Sequence, residues 1–185
     1  MLVTDGTSSA RRGVIAGFQD AQPSLSNGVW IAPSATVIGN IVLEEHVNVW
    51  YGTVMRGDVG AIRVGARTNI QDLSMVHMNG GEETVIGADV TLGHRVTLHG
   101  CTIGDRVLVG MGAIVLDGAT IGSDVVIAAG TLIPPRMNIP SGTMVMGQPG
   151  RVVRDLKEAE LAWIPKSAEK YVLAAEAHRA LTSLS

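Results

Sequence analysis

Residues 103–133 read IGDRVLVGMGAIVLDGATIGSDVVIAAGTLI, and this stretch repeats every six residues. An aliphatic residue holds the same slot six times in succession, at Ile103, Val109, Val115, Ile121, Ile127 and Ile133. Four residues after each of the first five comes a small or β-branched residue, namely Val107, Ala113, Ala119, Val125 or Thr131. A short fixed period is the sequence signature of a solenoid, in which each repeat buries its apolar side chain only against its neighbours.

The same period extends upstream in three blocks, formed by Leu43, Val49 and Met55, by Val64, Ile70 and Val76, and by Ile86, Leu92 and Leu98. It resembles the hexapeptide repeat of left-handed parallel β-helices, an all-β solenoid in which three hexads make one triangular coil. We expect this solenoid over residues 29–155, with about five complete coils and a partial one opened by Ile31 and Val37. The longer joins, residues 55–64 and 76–86, are predicted to be loops that project from corners.

The two ends of the chain depart from this pattern. Residues 1–28 form an N-terminal segment that we expect to be partly disordered, since its first dozen residues are polar. Residues 156–185 are rich in helix-favouring Ala, Glu, Lys and Leu, which predicts C-terminal α-helices. We expect a short helix that stops near Pro165 and a second helix from Ser167 to about Leu184.

Composition excludes several classes of function. The 185-residue chain has a formal net charge of −3 and no basic run, which argues against nucleic acid and anionic membranes as partners. The single cysteine, Cys101, rules out an intrachain disulfide and is expected to be a buried structural thiol. The sequence shows neither a signal peptide nor an apolar segment of membrane-spanning length, so we expect a soluble, cytoplasmic protein.

The hexad register gives positions for the histidines. Arg56, His77 and His99 each follow the aliphatic residue of the third hexad in successive coils, so they should stack at about 4.8 Å spacing. His94 takes a slot in the second hexad, above Asp72, and should lie on another face. One subunit is therefore not expected to bring all three histidines to one metal, whereas a threefold trimer could do so.

Three neutral imidazoles with an open fourth position are the ligand set of a catalytic zinc ion. A single histidine in a β-solenoid is more often an ordinary surface or hydrogen-bonding side chain. Three of the five histidines in two neighbouring coils weaken that simpler interpretation. His46 and His178 fit no such pattern, and both are expected to be ordinary surface histidines.

These motifs resemble the γ-class carbonic anhydrase family and its bacterial relatives. The matching residues are Arg56 and Asp58 in MRGD, Asn69, Gln71 and Asp72 in NIQD, His77 in VH, and His94 and His99 in GHRVTLHGCTIGD. The resemblance covers roughly residues 29–155. It implies a homotrimer that converts carbon dioxide to bicarbonate with a metal-activated water.

The resemblance also implies a role for each matched residue. His77 and His99 of one subunit and His94 of its neighbour would bind the metal, which would be zinc, with iron or cobalt as alternatives. Arg56 and Asp58 would form ion pairs across the subunit interface, in a network that Asp72 joins. Gln71 would orient the solvent on the metal, with Asn69 in support.

The sequence departs from the family pattern at the proton shuttle. Val59 stands where the archetype has a shuttle glutamate, and residues 79–84, NGGEET, replace a long acidic loop. Glu82 or Glu83 could take over this role, or both could be solvated loop charges. Tyr171 could reach a neighbouring site or have a core or interface role.

The sequence is compatible with three further functions. A metal-dependent acyl-CoA thioesterase would use the same activated water on a thioester. A hexapeptide acyltransferase is suggested by residues 147–154, GQPGRVVR, which resemble the end of such enzymes. A catalytically silent homologue would keep the metal as an assembly element.

Overall fold

The structure, a computed structural model, describes residues 13–181. Its short strands precede a single α-helix, α1 (Glu158–Arg179). In chain order the strands are β1 (Val14–Ala16), β2 (Ser24–Leu25), β3 (Trp30–Ile31), β4 (Thr36–Leu43), β5 (Asn48–Val49), β6 (Val54–Val64), β7 (Asn69–Ile70), β8 (Met75–His77), β9 (Glu83–Ile86), β10 (Thr91–Leu92), β11 (Thr97–His99), β12 (Thr102–Ile103), β13 (Val107–Val109), β14 (Ile114–Val115), β15 (Thr120–Ile121), β16 (Val125–Ile127), β17 (Leu132–Ile133), β18 (Asn138–Ile139), β19 (Thr143–Gly147) and β20 (Gly150–Asp155).

The strands stack in parallel as a solenoid, which confirms the predicted β-helix of hexapeptide repeats. One sheet runs β19-β16-β13-β10-β7-β5-β3 with β20 added antiparallel at its end, and the other faces share a second sheet. The aliphatic slots form continuous internal columns, and six successive members of one such column are fully buried: Val49, Ile70, Leu92, Val109, Ile127 and Val145. Each coil therefore buries its apolar residues against the coils on either side.

The solenoid is longer than the sequence analysis predicts. It has about seven turns rather than about five, because the chain upstream of residue 29 already contributes to it. Strands β1 and β2 pair in parallel with the two halves of β4. The predicted disorder of the first dozen residues concerns positions outside the described range.

The prediction of a corner loop at residues 55–64 is wrong. Residues 55–64 lie within the continuous strand β6, which follows β4 around the corner. The backbones approach so closely there that a Cβ on Gly57 would lie 2.7 Å from the Asn40 carbonyl oxygen. Glycine thus allows a bent strand in place of a loop. The second join does form a short loop between β8 and β9, at residues 78–82.

The C-terminal segment forms one helix, so the predicted break near Pro165 is wrong. Pro165 lies inside α1, where it removes one backbone hydrogen bond. The helix continues because it is anchored on the solenoid on both sides of the proline: Ile164 and Ala168 are fully buried, and α1 contacts β3, β5, β7 and β10. The last residues of the predicted second helix, 182–184, lie outside the described range.

Each end of α1 is fixed by polar contacts. At its start, the Glu160 carboxylate accepts hydrogen bonds from the Arg154 guanidinium and the Lys157 backbone N–H, which lower its pKa to about 2. Near its end, His178 lies against Trp30 and Trp50, and its Nδ1 is 2.9 Å from the Tyr51 hydroxyl. His178 is therefore part of an aromatic cluster and not the ordinary surface histidine that the sequence analysis predicts.

Within residues 13–181, no helix combines the length and the apolar composition that crossing a bilayer would require.

The Thr131 hydroxyl provides a test of the core packing. Thr131 occupies an apolar column, and within the described residues its Oγ1 has no hydrogen-bond partner. We expect Thr131→Val to raise the free energy of unfolding by about 1 kcal/mol, since it removes an unpaired buried hydroxyl and keeps the shape. Urea denaturation at fixed protein concentration measures this change.

Thr68→Val is the matched control. Thr68 is equally buried, but its hydroxyl donates to the Gly87 carbonyl at 2.7 Å and accepts the Val90 N–H at 3.0 Å. The same substitution there should destabilise the protein by about 1–3 kcal/mol. An equal decrease in the free energy of unfolding for both variants would contradict the argument that only the Thr131 hydroxyl is unpaired.

Candidate functional site

His77 and His99 form a stacked pair on the face that carries β8 and β11. They are register partners in these parallel strands, which confirms the predicted stacking, and Arg56 follows one coil earlier on β6. The His77 Nδ1 lies 3.2 Å from the His99 Nε2. Two ring nitrogens from neighbouring coils thus point at each other.

Each histidine that the sequence analysis assigns to the metal is held by an aspartate through its other ring nitrogen. His77 Nε2 is 3.0 Å from Asp58 Oδ1, His94 Nδ1 is 2.8 Å from Asp72 Oδ2, and His99 Nδ1 is 2.6 Å from Asp117 Oδ1. An ionised carboxylate only accepts, so each bond places the N–H of a neutral imidazole on the nitrogen that faces the aspartate. The nitrogen on the opposite side of each ring then keeps its lone pair.

The lone pairs of His77 and His99 therefore converge, which is unfavourable unless a cation or a proton lies between them. Two nitrogen ligands of a tetrahedral zinc ion, with Zn–N bonds of about 2.0–2.1 Å, lie about 3.3 Å apart. The observed separation of 3.2 Å is close to this value. The pair thus fits two adjacent ligands of one metal ion, and carboxylate partners behind histidine ligands are typical of metal sites.

A buried threonine holds the backbone of the pair. The Thr84 hydroxyl donates to the His77 carbonyl at 2.8 Å and accepts the Gly100 N–H at 3.1 Å, directly after His99. Thr84 is fully buried. Sequence reasoning missed this residue because its side chain reaches across a corner, which the hexad register does not show.

Asp58 also connects the pair to Arg56. One carboxylate oxygen accepts from His77 and the other from the guanidinium of Arg56 in the same chain. Burial disfavours the charge on Asp58, but the hydrogen bonds from Arg56 and His77 outweigh it and lower the pKa of this carboxyl. The described contacts of both residues are thus within one chain, and their predicted ion pairs across an interface stay a prediction.

His94 lies apart from the other two histidines within one chain. It occupies the turn between β10 and β11, at a corner rather than on a flat face, together with Asp72 in the turn below. In the described part of this single chain, no three histidine, cysteine or acidic residues converge as a possible metal site. Each chain therefore carries two separate parts of the predicted ligand set.

Gln71 and Asn69 belong to the His94 part. The Gln71 Nε2 donates to Asn69 Oδ1 at 3.0 Å, and the Asn69 Nδ2 donates to the Thr91 hydroxyl at 2.9 Å. Thr91 in turn donates to the Ser167 hydroxyl on α1 at 3.2 Å. Both amides are buried, so this chain of hydrogen bonds fixes the Gln71 carboxamide from the C-terminal helix.

Tyr171 also lies on this side of the molecule. Its ring packs edge-to-face on Trp50 at 5.2 Å between centroids, which supports a core role in this chain. Burial, together with the negative charge of Asp72, raises the pKa of its hydroxyl. Tyr171 therefore stays protonated at neutral pH and can donate a hydrogen bond.

The two loop glutamates have different surroundings. Glu83 forms an exposed ion pair with Arg63 at 3.5 Å. Both glutamates line a cavity of about 550 Å³ together with Asp58 and Val59. Glu82 is the glutamate nearer the histidine pair, because a Cβ on Gly100, directly after His99, would lie 2.5 Å from Glu82 Oε2.

Cys101 is buried, as the sequence analysis predicts. Burial raises the pKa of its thiol to about 12, so it is protonated at neutral pH. A protonated buried thiol is a poor nucleophile and a poor metal ligand, which favours the structural role.

Comparisons with known proteins agree with this architecture. Residues 100–135 match the family model described as bacterial transferase hexapeptide (six repeats). Protein YrdA of Escherichia coli (strain K12) is 48% identical over 166 residues, covering 86% of this chain and 90% of YrdA. A carbonic anhydrase of Geobacillus kaustophilus (strain HTA426) is 36% identical over 168 residues, covering 91% of this chain and 92% of that protein.

A solved structure shares the fold over most of the chain. The hexapeptide transferase family protein from Anaplasma phagocytophilum superposes with a TM-score of 0.85 at 39% identity, covering 89% of this chain and 97% of that one. Identity at this level over nearly full length, both to named carbonic anhydrases and to hexapeptide proteins, goes beyond a shared fold. The chain belongs to the family of γ-carbonic anhydrase-like hexapeptide-repeat proteins.

Proposed function

We propose that this protein is a metal-dependent, carbonic anhydrase-like hydratase that converts carbon dioxide to bicarbonate at the interfaces of a homotrimer. His77 and His99 of one subunit and His94 of the next would hold the metal ion. The observation that carries the proposal is the pair of facing ring nitrogens, His77 Nδ1 and His99 Nε2, 3.2 Å apart, with a carboxylate behind each of the three histidines.

Zinc fits this set of donors best. Neutral imidazoles are preferred ligands of zinc, while iron and cobalt can use the same nitrogen ligands. A bound zinc ion would act as a Lewis acid that lowers the pKa of water to about 7. The chain's own residues then have to assemble the ligands, orient the reacting water and remove a proton.

The polar residues around the ligands fit these tasks. Gln71 can orient a water molecule because an amide both donates and accepts, and its carboxamide is held through Asn69 by Thr91. Asp58 and Asp72 keep His77 and His94 in the required tautomers. Arg56 would stabilise the subunit contact through Asp58.

For removal of the proton, Glu82 is the better placed of the two loop glutamates. Its Oε2 lies beside Gly100, the residue after His99, whereas Glu83 is paired with Arg63 at the surface. A carboxylate beside the site can accept a proton from the reacting water and pass that proton to buffer. We therefore assign the shuttle role to Glu82.

Acyl transfer is the second candidate function. The hexapeptide transferase structure supports it, since it has the same fold at 39% identity. The same metal site could also hydrolyse acyl-CoA, or the protein could bind metal without turnover. Acetyl-CoA consumption, with and without an amine or sugar acceptor, separates these activities from carbon dioxide hydration when all are measured on the same zinc-loaded sample.

Mixed trimers test whether the site lies between subunits. His94→Ala and His77→Ala subunits carry different affinity tags, are co-expressed, and are purified on both tags in sequence. Each mixed ring should hold one intact interface out of three, so we expect about one third of wild-type carbon dioxide hydration by stopped flow. Each variant alone should be inactive.

The control pairs His77→Ala with His99→Ala, which damage the same part of the site. Their mixed trimers should remain inactive, because every interface then lacks one of these two ligands. If the His94 and His77 variants do not co-purify, or co-purify without regained activity, the intersubunit site is disproved.

Glu82→Gln tests the proton shuttle. We expect kcat to fall at least about tenfold with little change in kcat/KM, and added imidazole buffer to restore it, since general acid–base groups contribute about 10²–10⁴ in rate. Glu83→Gln makes the same change at the neighbouring residue, which is paired with Arg63, and should behave like wild type. Equal effects of the two variants would argue against Glu82.

A further inference from the structure

We propose that Asp117 is a positioning residue for His99, which fixes its tautomer and its direction toward His77. The sequence motifs assign no role to Asp117. It lies in the turn between β14 and β15, one coil beyond His99, and its Oδ1 is 2.6 Å from His99 Nδ1. This inference rests on the proposed metal site and identifies the residue that leaves one ring nitrogen of His99 free to bind the metal.

The hydrogen-bond chemistry of the contact determines which nitrogen of His99 is free. Nδ1–H donates to the Asp117 carboxylate, so Nε2 keeps the lone pair. Nε2 is also the nitrogen that faces His77 Nδ1 at 3.2 Å. Without Asp117, the proton could move to Nε2, and that ring nitrogen could then bind neither zinc nor any other cation.

A second donor holds the aspartate in place. The Asn79 Nδ2 donates to the same Asp117 Oδ1 at 2.9 Å. Asn79 belongs to the loop that follows His77, so the contact joins three successive coils around one carboxylate oxygen. The side chain of Asp117 is thereby restrained although 31% of its surface is exposed.

Gly100 leaves the space that this arrangement needs. Its φ is +55°, and a Cβ at this position would lie 2.8 Å from Asp117 Oδ1 and 2.5 Å from Glu82 Oε2. A side chain directly after His99 would therefore displace the carboxylate that orients it. The glycine and the aspartate serve the same contact.

Asp117→Ala tests the role in two independent ways. By chelator competition, the affinity of the full-length protein for zinc should fall about 10–100-fold, the range for loss of a carboxylate behind a histidine ligand. In the metal-free protein at neutral pH, long-range ¹H–¹⁵N NMR should show His99 as the Nδ1–H tautomer in wild type and a loss of that tautomer in the variant. Asp117→Glu should restore part of both.

Asp124→Ala is the matched control, because Asp124 has the same 31% side-chain exposure at another corner and pairs with Arg106 instead of a histidine. It should change neither readout. If Asp117→Ala does not fold, Asn79→Ala, which removes the second donor, should show a smaller loss of zinc affinity.

The role of Asp117 and the proposed function can fail separately. Unchanged zinc affinity, within twofold, together with an unchanged His99 tautomer in Asp117→Ala would overturn the positioning role. A wild-type protein that binds no zinc would count against the proposed function, while the tautomer measured without metal would still decide the role of Asp117.

Discussion

The strand spacing between two neighbouring coils is the constraint on which the rest of the site depends. Three of its contacts join residues 22 positions apart: His77 with His99, Asp72 with His94, and Asn69 with Thr91. Other coils differ in length: register partners are 21 residues apart at Val49 and Ile70, 17 at Leu92 and Val109, and 18 at Ile103 and Ile121. The loop at residues 78–82 accounts for the four residues by which this coil exceeds the 18-residue coils, and the strands on both sides of the loop still stack in register.

The two parts of the proposed site lie at different places on each solenoid. One part is linked to a surface arginine and the other to helix α1. The His77 and His99 part is linked through Asp58 to Arg56, so the same carboxylate serves a ligand and a surface arginine. The His94 part is linked through Asn69 and Thr91 to Ser167 on α1. If the trimer forms as proposed, assembly and ligand geometry would depend on each other, because neither part holds a complete ligand set.

The sequence was sufficient for every feature that depends on the register alone. The stacking of His77 on His99, the vertical relation of Asp72 to His94 and the buried aliphatic columns all follow from counting hexads. It was insufficient where a side chain reaches between slots, as Asp117 and Thr84 do. The sequence also predicted a loop where β6 forms and a helix end at Pro165. Both predictions failed because close backbone contacts at glycine and burial of the helix on both sides of the proline depend on tertiary packing, which outweighs the local sequence signals.

The helix α1 has a further consequence through its pitch. It runs back along the solenoid from Ser167, above β10, to His178, beside Trp30 of β3. These eleven residues rise about 16 Å, and the three coil spacings between the two strands amount to about 14 Å. One turn of α1 therefore spans nearly the same distance as one coil, and the length of α1 matches the number of coils between β3 and β10. Inserting or deleting a coil between β3 and β10 would move the contact sites of Ser167 and His178 relative to the helix, unless α1 gained or lost about one turn as well. Coils outside this interval could be added or removed without changing the length of α1.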